Sequence, residues 1–194
     1  MNLPAEIPQG LEDGRVRDLL ALTDADFSVE EIAARLARIN RFAGATHWPY
    51  SVALHSVLVS HLCAHSTSYE DWRLAGLLHD IPEAFGIGDL ITPIKRLVTG
   101  YRELEDALVT QLCVPFPALT LHASEEVRWA DERAYQLECL FLRGAWPRPE
   151  HTRFAALAPD SLEYQLGRKY LISEWNWRDA RDEFVHRYEE LNHG

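Results

Sequence analysis

Three apolar segments of this chain carry imidazole or carboxylate side chains where a buried helix face is expected. His79 and Asp80 end the run Leu77-Leu78-His79-Asp80, with His55 in an apolar segment upstream and Asp131 in another downstream. Buried helix faces seldom carry acids and imidazoles unless something binds them there. The pattern therefore predicts three helices that share one polar site.

Composition limits the classes of protein to be considered. With 194 residues, of which 47% are hydrophobic, we expect one domain over residues 1–194 with a substantial core. We also expect no membrane span and no signal region. The three cysteines are widely spaced among apolar neighbours and favour a reducing, cytoplasmic setting. A formal net charge of −11 argues against nucleic acid as a partner.

Hydrophobic spacing and capping residues divide the chain into helices. Capping signals at Ser28 and Glu31, at Thr67 and Glu70, at Asp160 and Glu163, and at Asn176 predict four helix starts. Pro82 is expected to end or kink the helix that carries His79 and Asp80. No alternating strand pattern is present. The sequence predicts an all-α fold, with helices over about 28–40, 51–65, 67–80, 101–112 and 124–142, a short one from Thr92, and two near the C-terminus.

Two imidazoles and two carboxylates suit a borderline or hard divalent cation. Four such ligands on an octahedral ion leave two positions, one for a water molecule and one for a substrate oxygen, so the set is typical of metal-assisted hydrolysis of phosphate groups. Glu83 follows Asp80 by one helical turn, and its carboxylate could transfer a proton in that reaction. We expect one ion, with Mn²⁺, Co²⁺, Zn²⁺, Fe²⁺ and Mg²⁺ as candidates.

At these positions the chain resembles the HD superfamily of metal-dependent phosphohydrolases, whose signature is H…HD…D. The order and spacing of the surrounding motifs, within about residues 36–142, are similar to those of the bacterial 5′-deoxynucleotidases and their phage relatives, which include dATP triphosphohydrolases. These motifs are Arg41-Phe42, Tyr50 to Ser56, Leu77 to Glu83, Gly88 to Lys95, and Ala130-Asp131. The resemblance implies a single helical bundle of the HD type.

The resemblance also implies a role for each matching residue. The metal ligands would be His55, His79, Asp80 and Asp131, with Asp80 and Glu83 at the reaction itself. Arg41 would lie near the nucleotide phosphate, Phe42 near the nucleotide and Asp89 near the sugar hydroxyl. Lys95 and Arg96 would add positive charge against phosphate. Homo-oligomers are usual among the relatives, so we expect one here.

Each role has a structural alternative that the sequence leaves open. The metal ligands could be two core histidines and two surface aspartates, although four matching positions favour metal. Glu83 could interact with a helix dipole and Asp89 could cap the following helix. Arg41 could form a surface salt bridge, and Lys95 and Arg96 a solvated face. For Phe42, Trp48 and Trp129 the sequence favours a place in the core over a base-stacking surface.

The sequence therefore predicts a hydrolase of small 2′-deoxynucleotides. A 5′-deoxynucleotidase that releases phosphate from deoxynucleoside monophosphates is the preferred reading. A deoxynucleoside triphosphohydrolase that releases triphosphate is the first alternative, because both enzymes attack the same phosphorus atom. A non-catalytic HD module that binds a nucleotide is the second.

Overall fold

Helices make up almost all of the regular structure. The computed structural model describes residues 6–11, 14–23, 26–66, 70–143 and 158–192. Within these ranges the α-helices are α1 (Val29–Leu36), α2 (Val52–Ser66), α3 (Glu70–Leu78), α4 (Thr92–Lys95), α5 (Tyr101–Leu112), α6 (Glu125–Arg143), α7 (Leu162–Leu171) and α8 (Trp177–Asn192). Three short 3-10 helices span Arg41–Gly44, Ile81–Phe85 and Pro117–Leu121. The predicted all-α class is confirmed.

Helix α2 forms the centre of the fold because it is apolar on nearly every side. Residues 52–60 are all buried, and α2 packs against α3, α6, α7 and α8. A helix that is hydrophobic all round has no face for solvent and is stable only when other helices surround it. Its one imidazole within this buried stretch, His55, is 0% exposed and so lies inside the bundle.

Helix α3 ends where proline requires it to. The helix stops at Leu78, and a 3-10 helix with Pro82 in its first turn follows, so the predicted break is observed. Proline lacks the amide proton that a continuing α-helix needs. His79 and Asp80 therefore lie in the turn between the two helices, rather than in the last turn of α3 as the sequence suggested.

Local signals predicted most helix starts and missed one cap. The Ser28 side chain accepts a hydrogen bond from the Glu31 amide, and the Asn176 side chain accepts from the Asp179 amide. Ser161, not Asp160, caps α7, because its hydroxyl accepts from the Tyr164 amide. The proposed cap at Thr67 lies outside the described residues. Helix α1 also ends earlier than expected, at Leu36.

A small antiparallel sheet was not predicted. Its two strands, β1 (Pro8–Gly10) and β2 (Val16–Asp18), pair with Pro8 opposite Asp18. Three residues per strand are too few for an alternating pattern to be visible in the sequence.

Trp129 also differs from its predicted place in the core, because it is 39% exposed. No helix in the described ranges has the length and apolar character needed to cross a bilayer.

A polar network fastens the C-terminal helices to α2. The Tyr170 hydroxyl donates to Glu183 and lies 3.1 Å from His61 Nε2, while Lys169 donates to both Tyr170 and Glu183. Because the hydroxyl proton points to Glu183, the neutral His61 ring is the donor to the Tyr170 oxygen. The network thus holds α7 and α8 against α2.

We expect this network to make the fold sensitive to acid. Burial and the positive charges of Arg187 and Lys169 lower the pKa of His61 from 6.5 to about 4, against the carboxylates of Glu183 and Glu190. Between those two pH values the unfolded chain binds a proton that the folded chain does not. The free energy of unfolding should therefore fall as the pH drops from 6.5 to 4.

Urea unfolding of the wild type and His61→Gln at pH 7.5 and pH 5 measures this contribution. The glutamine can still donate to the Tyr170 oxygen but does not titrate, so the variant should lose less stability at pH 5 than the wild type. His186→Gln, an exposed histidine of α8, is the control and should behave as the wild type. Equal pH dependence in His61→Gln and the wild type would contradict the prediction.

Candidate metal centre

Three mutually packed helices bring the predicted metal ligands together. His55 is on α2, His79 and Asp80 follow α3, and Asp131 is on α6. Helix α3 approaches α2 closely at Gly76, where a Cβ atom would lie 2.8 Å from Cys63 Sγ and 3.4 Å from a backbone carbon of α2. This approach places the His55 and His79 rings 5.2 Å apart between their centroids.

Each imidazole is oriented through one nitrogen and presents the other to the same space. His55 Nδ1 lies 2.6 Å from Glu138 Oε1, and His79 Nδ1 lies 2.8 Å from the Gly76 carbonyl oxygen. The two Nε2 atoms are buried and make no well-aligned hydrogen bond among the described residues, although carboxylate oxygens lie close to both. Buried nitrogens that converge on carboxylates in this way indicate a site for a cation.

Carboxylate oxygens of Asp80 and Asp131 lie close to the two imidazole nitrogens. Asp80 Oδ2 lies 3.6 Å from His55 Nε2 and 3.3 Å from His79 Nε2, while Asp131 Oδ1 lies 3.1 Å and 4.0 Å from the same nitrogens. Ligand atoms about 2.0–2.2 Å from one ion are separated from one another by roughly 3–4.4 Å. All four nitrogen–oxygen distances lie in that range. Ligand atoms of His55, His79 and Asp80 all lie within 4.8 Å of one another, so these three residues fit a divalent cation, and Asp131 lies beside them.

A buried carboxylate that the sequence analysis missed lies behind His55. Glu138 is 0% exposed and, besides its contact with His55, its Oε2 accepts from Arg41 Nε at 3.2 Å. Arg41 also approaches Asp80, with 3.7 Å between Nη1 and Oδ2. Glu138 follows Asp131 by two helical turns, so its position on the same face of α6 was the available signal.

The charges of this cluster are strongly coupled. Burial and Arg41 lower the pKa of His55, but the carboxylates of Glu138 and Asp131 outweigh them and raise it to about 10. Burial raises the pKa of Glu138, but Arg41 and His55 outweigh it and hold the pKa below its ordinary value. Glu138 is therefore an ionised carboxylate, and the space beside His55 attracts positive charge.

Glu83 is a buried carboxyl group at the edge of the same cluster. It is 4% exposed; its Oε1 accepts from Lys95 at 3.5 Å, and its Oε2 has no hydrogen-bond partner among the described residues. Burial, with the negative charges of Asp80 and Asp89, raises the pKa of Glu83 to about 9 against the effect of Lys95 and Arg41. The group can hold a proton at neutral pH, as a proton-transfer role requires.

A cavity of about 680 Å³ opens beside these residues. Such a volume is within the range of small-molecule sites, at roughly 300–1,000 Å³. All of the predicted substrate contacts line it, and so do three residues that the sequence analysis did not single out. The predicted contacts are Arg41, Phe42, Asp89, Lys95 and Arg96, and the additional residues are Glu132, Tyr135 and Arg143.

A left-handed turn places Arg41 and Phe42 at the cavity wall. Phe42 and Ala43 have φ angles of 56° and 50°, which non-glycine residues rarely adopt. The Phe42 ring lies 6.1 Å from that of Tyr135 and 5.4 Å from the guanidinium of Arg143. Strained backbone of this kind is kept where the surrounding structure holds it and is common at binding sites.

Comparison with known proteins places the chain in a family without naming an activity. The chain is 40% identical over 144 residues to an uncharacterised protein of Rhodobacter capsulatus, and the match covers 70% of this chain and 73% of the relative. The chain belongs to the family of that protein. The chain is also 37% identical over 83 residues to the uncharacterised protein YfdR of Escherichia coli, and that match covers 43% of each chain.

Two further comparisons concern fold and family models. The HD phosphohydrolase DatZ of cyanophage S-2L, solved with dA and one catalytic Zn²⁺ ion, matches the present chain with a TM-score of 0.42 and 19% identity. That match covers 84% of this chain and 96% of DatZ. No family model matches the chain.

Proposed function

We propose that this protein is a metal-dependent phosphohydrolase of small 2′-deoxynucleotides, with a 5′-deoxynucleotidase activity. One observation carries the proposal. The buried Nε2 atoms of His55 and His79 face the carboxylates of Asp80 and Asp131 at the wall of a cavity that Arg41 and Lys95 also line. A cation and a phosphate group fit such a site together, and the H…HD…D order supports hydrolysis.

Each residue then has a defined part in the reaction. His55, His79, Asp80 and Asp131 would hold the ion, which when bound polarises a phosphoryl oxygen and acidifies water. The Arg41 guanidinium, held at the cavity wall, binds and orients the phosphate through a planar pair of donors.

The reaction also needs a proton donor near the phosphate. Glu83 reaches the cavity beside Asp80 and delivers its proton to the leaving sugar oxygen. Lys95 contacts Glu83 and places positive charge next to that step.

The balance of charges in the cavity favours a monophosphate. Its lining, among the described residues, has four basic side chains (Arg41, Lys95, Arg96 and Arg143) and five acidic ones (Asp80, Glu83, Asp89, Asp131 and Glu132). Arg41 and Lys95 already contact carboxylates. One divalent ion adds two positive charges, which matches a monophosphate better than a triphosphate. Arg96 and Arg143 add positive charge to the same cavity, and for this reason a triphosphohydrolase is the second candidate.

A screen of nucleotides and metals tests the proposal. The wild-type protein is incubated with each deoxy- and ribonucleotide mono-, di- and triphosphate in the presence of Mn²⁺, Co²⁺, Zn²⁺, Fe²⁺ or Mg²⁺, and the products are separated. We expect phosphate and deoxynucleoside from deoxynucleoside monophosphates, with activity lost on chelation. Release of triphosphate would support the second candidate. A metal-loaded protein that binds deoxynucleotides and releases neither product would be a binding module.

The homo-oligomer and the cytoplasmic location stay predictions.

A further inference from the structure

We propose that Glu138 is a positioning residue that sets the metal site and the phosphate site together. The inference rests on the proposed function, since it assigns His55 to the metal and Arg41 to the phosphate. Glu138 itself is 0% exposed and does not line the cavity, so it acts through these two neighbours and touches neither ligand.

The carboxylate divides its two oxygens between the two sites. Oε1 lies 2.6 Å from His55 Nδ1 and Oε2 lies 3.2 Å from Arg41 Nε. Arg41 and His55 both approach Asp80 Oδ2, at 3.7 Å and 3.6 Å. The four residues therefore close a ring, and a displacement of Glu138 moves a metal ligand and the arginine at once.

The contact with His55 determines which ring nitrogen can bind a metal. An imidazole that donates its Nδ1 proton to a carboxylate keeps the Nε2 lone pair for a cation, and the carboxylate makes that nitrogen a better ligand. His55 Nε2 is the atom that faces Asp80 and Asp131. Glu138 thus holds the ring in the orientation and tautomer that the site needs.

The contact with Arg41 determines how the guanidinium meets phosphate. With Nε donated to Glu138, the terminal nitrogens remain on the side of Asp80 and the cavity, where a phosphate would replace or join the Asp80 contact. A planar guanidinium fixed along one edge is oriented for two parallel hydrogen bonds. A glutamine at position 138 can accept from His55 or from Arg41 but not from both, because its amide nitrogen only donates.

Glu138→Gln tests the inference, with Glu163→Gln as the matched control. Glu163 of α7 also pairs with a buried arginine of α6, Arg133, at 3.3 Å, but it lies away from the ring just described. The affinity of each variant for Zn²⁺ and Co²⁺ is measured by competition with a chelator. We expect Glu138→Gln to bind metal about 10- to 100-fold more weakly, and Glu163→Gln to bind as the wild type does.

Arg41→Ala separates positioning from mere loss of stability. This variant should raise KM for the nucleotide and lose less metal affinity than Glu138→Gln, because the Glu138 carboxylate remains in contact with His55. Glu138→Gln should change both quantities. Metal affinity and KM that are both unchanged in a folded Glu138→Gln protein would overturn the inference.

Nitrogen-15 NMR of the imidazoles gives a readout that needs no variant. In the zinc-loaded wild-type protein, His55 should carry its proton on Nδ1, with the strongly downfield shift of a short hydrogen bond to a carboxylate. A proton on Nε2, or an Nδ1 without one, would overturn the inference even if Glu138→Gln does not fold. A wild-type protein that binds no divalent cation would refute the proposed function itself, which is a different result.

Discussion

Asp131→Ala should bind no divalent cation and should lose its phosphate release entirely. Asp131 is the one predicted ligand on α6, and its Oδ1 is the carboxylate oxygen nearest to His55 Nε2, at 3.1 Å. Without it, three predicted ligands remain, and both imidazoles lose a neighbouring negative charge. Loss of one ligand from a four-ligand site lowers both the affinity and the geometric precision of the site.

Metal analysis of the purified protein, together with a phosphate-release assay, measures this effect. Glu125→Ala is the matched control, because Glu125 is an exposed acid in the first turn of the same helix. The control should keep one ion per chain and full activity. Urea unfolding of both variants shows whether either is destabilised. If Asp131→Ala retained one ion per chain and normal turnover, the four-ligand site would be wrong.

Glu83→Gln should retain the metal and release phosphate at least about 100-fold more slowly than the wild type, with a largely unchanged KM. The carboxyl group is buried at the cavity wall and its Oε2 lacks a partner among the described residues, so it can exchange a proton with a bound substrate. Glutamine has nearly the same shape but transfers no proton. General acid–base catalysis contributes about 10²–10⁴-fold.

Glu105→Gln is the control for Glu83→Gln, because both glutamates contact the same lysine. Lys95 Nζ lies 3.5 Å from Glu83 Oε1 and 3.4 Å from Glu105 Oε1. Loss of the Lys95 contact alone would slow both variants alike. A slow Glu83→Gln beside a normal Glu105→Gln would assign proton transfer to Glu83, whereas equal activity of Glu83→Gln and the wild type would remove it from the mechanism.

The two variants also separate an enzyme from a binding module. In a hydrolase, Asp131→Ala should lose both its metal and its turnover, whereas Glu83→Gln should keep the metal and lose turnover. In a nucleotide-binding module neither variant would alter a rate, because there would be none, and only nucleotide affinity would change. The pair of measurements therefore tests the proposed function at two independent positions.

Helices and their ends were predictable because the signals are local. The fourfold spacing of Leu104, Leu108 and Leu112 predicted α5 at its observed bounds, and Pro82 predicted the end of α3. These signals act within one or two turns, through side-chain periodicity and missing amide protons. The two short strands left no such signal.

The types of the site residues were also visible in the sequence, as imidazoles and acids on apolar segments. Their convergence was an inference from resemblance. The packing of α2 against α3 and α6 is what places oxygens of Asp80 and Asp131 within 4.0 Å of the His55 and His79 nitrogens. The spacing of Glu138 from Asp131 indicated a shared face of α6 but not its contacts with His55 and Arg41. Those contacts span 83 and 97 residues of chain, and only the tertiary structure determines them.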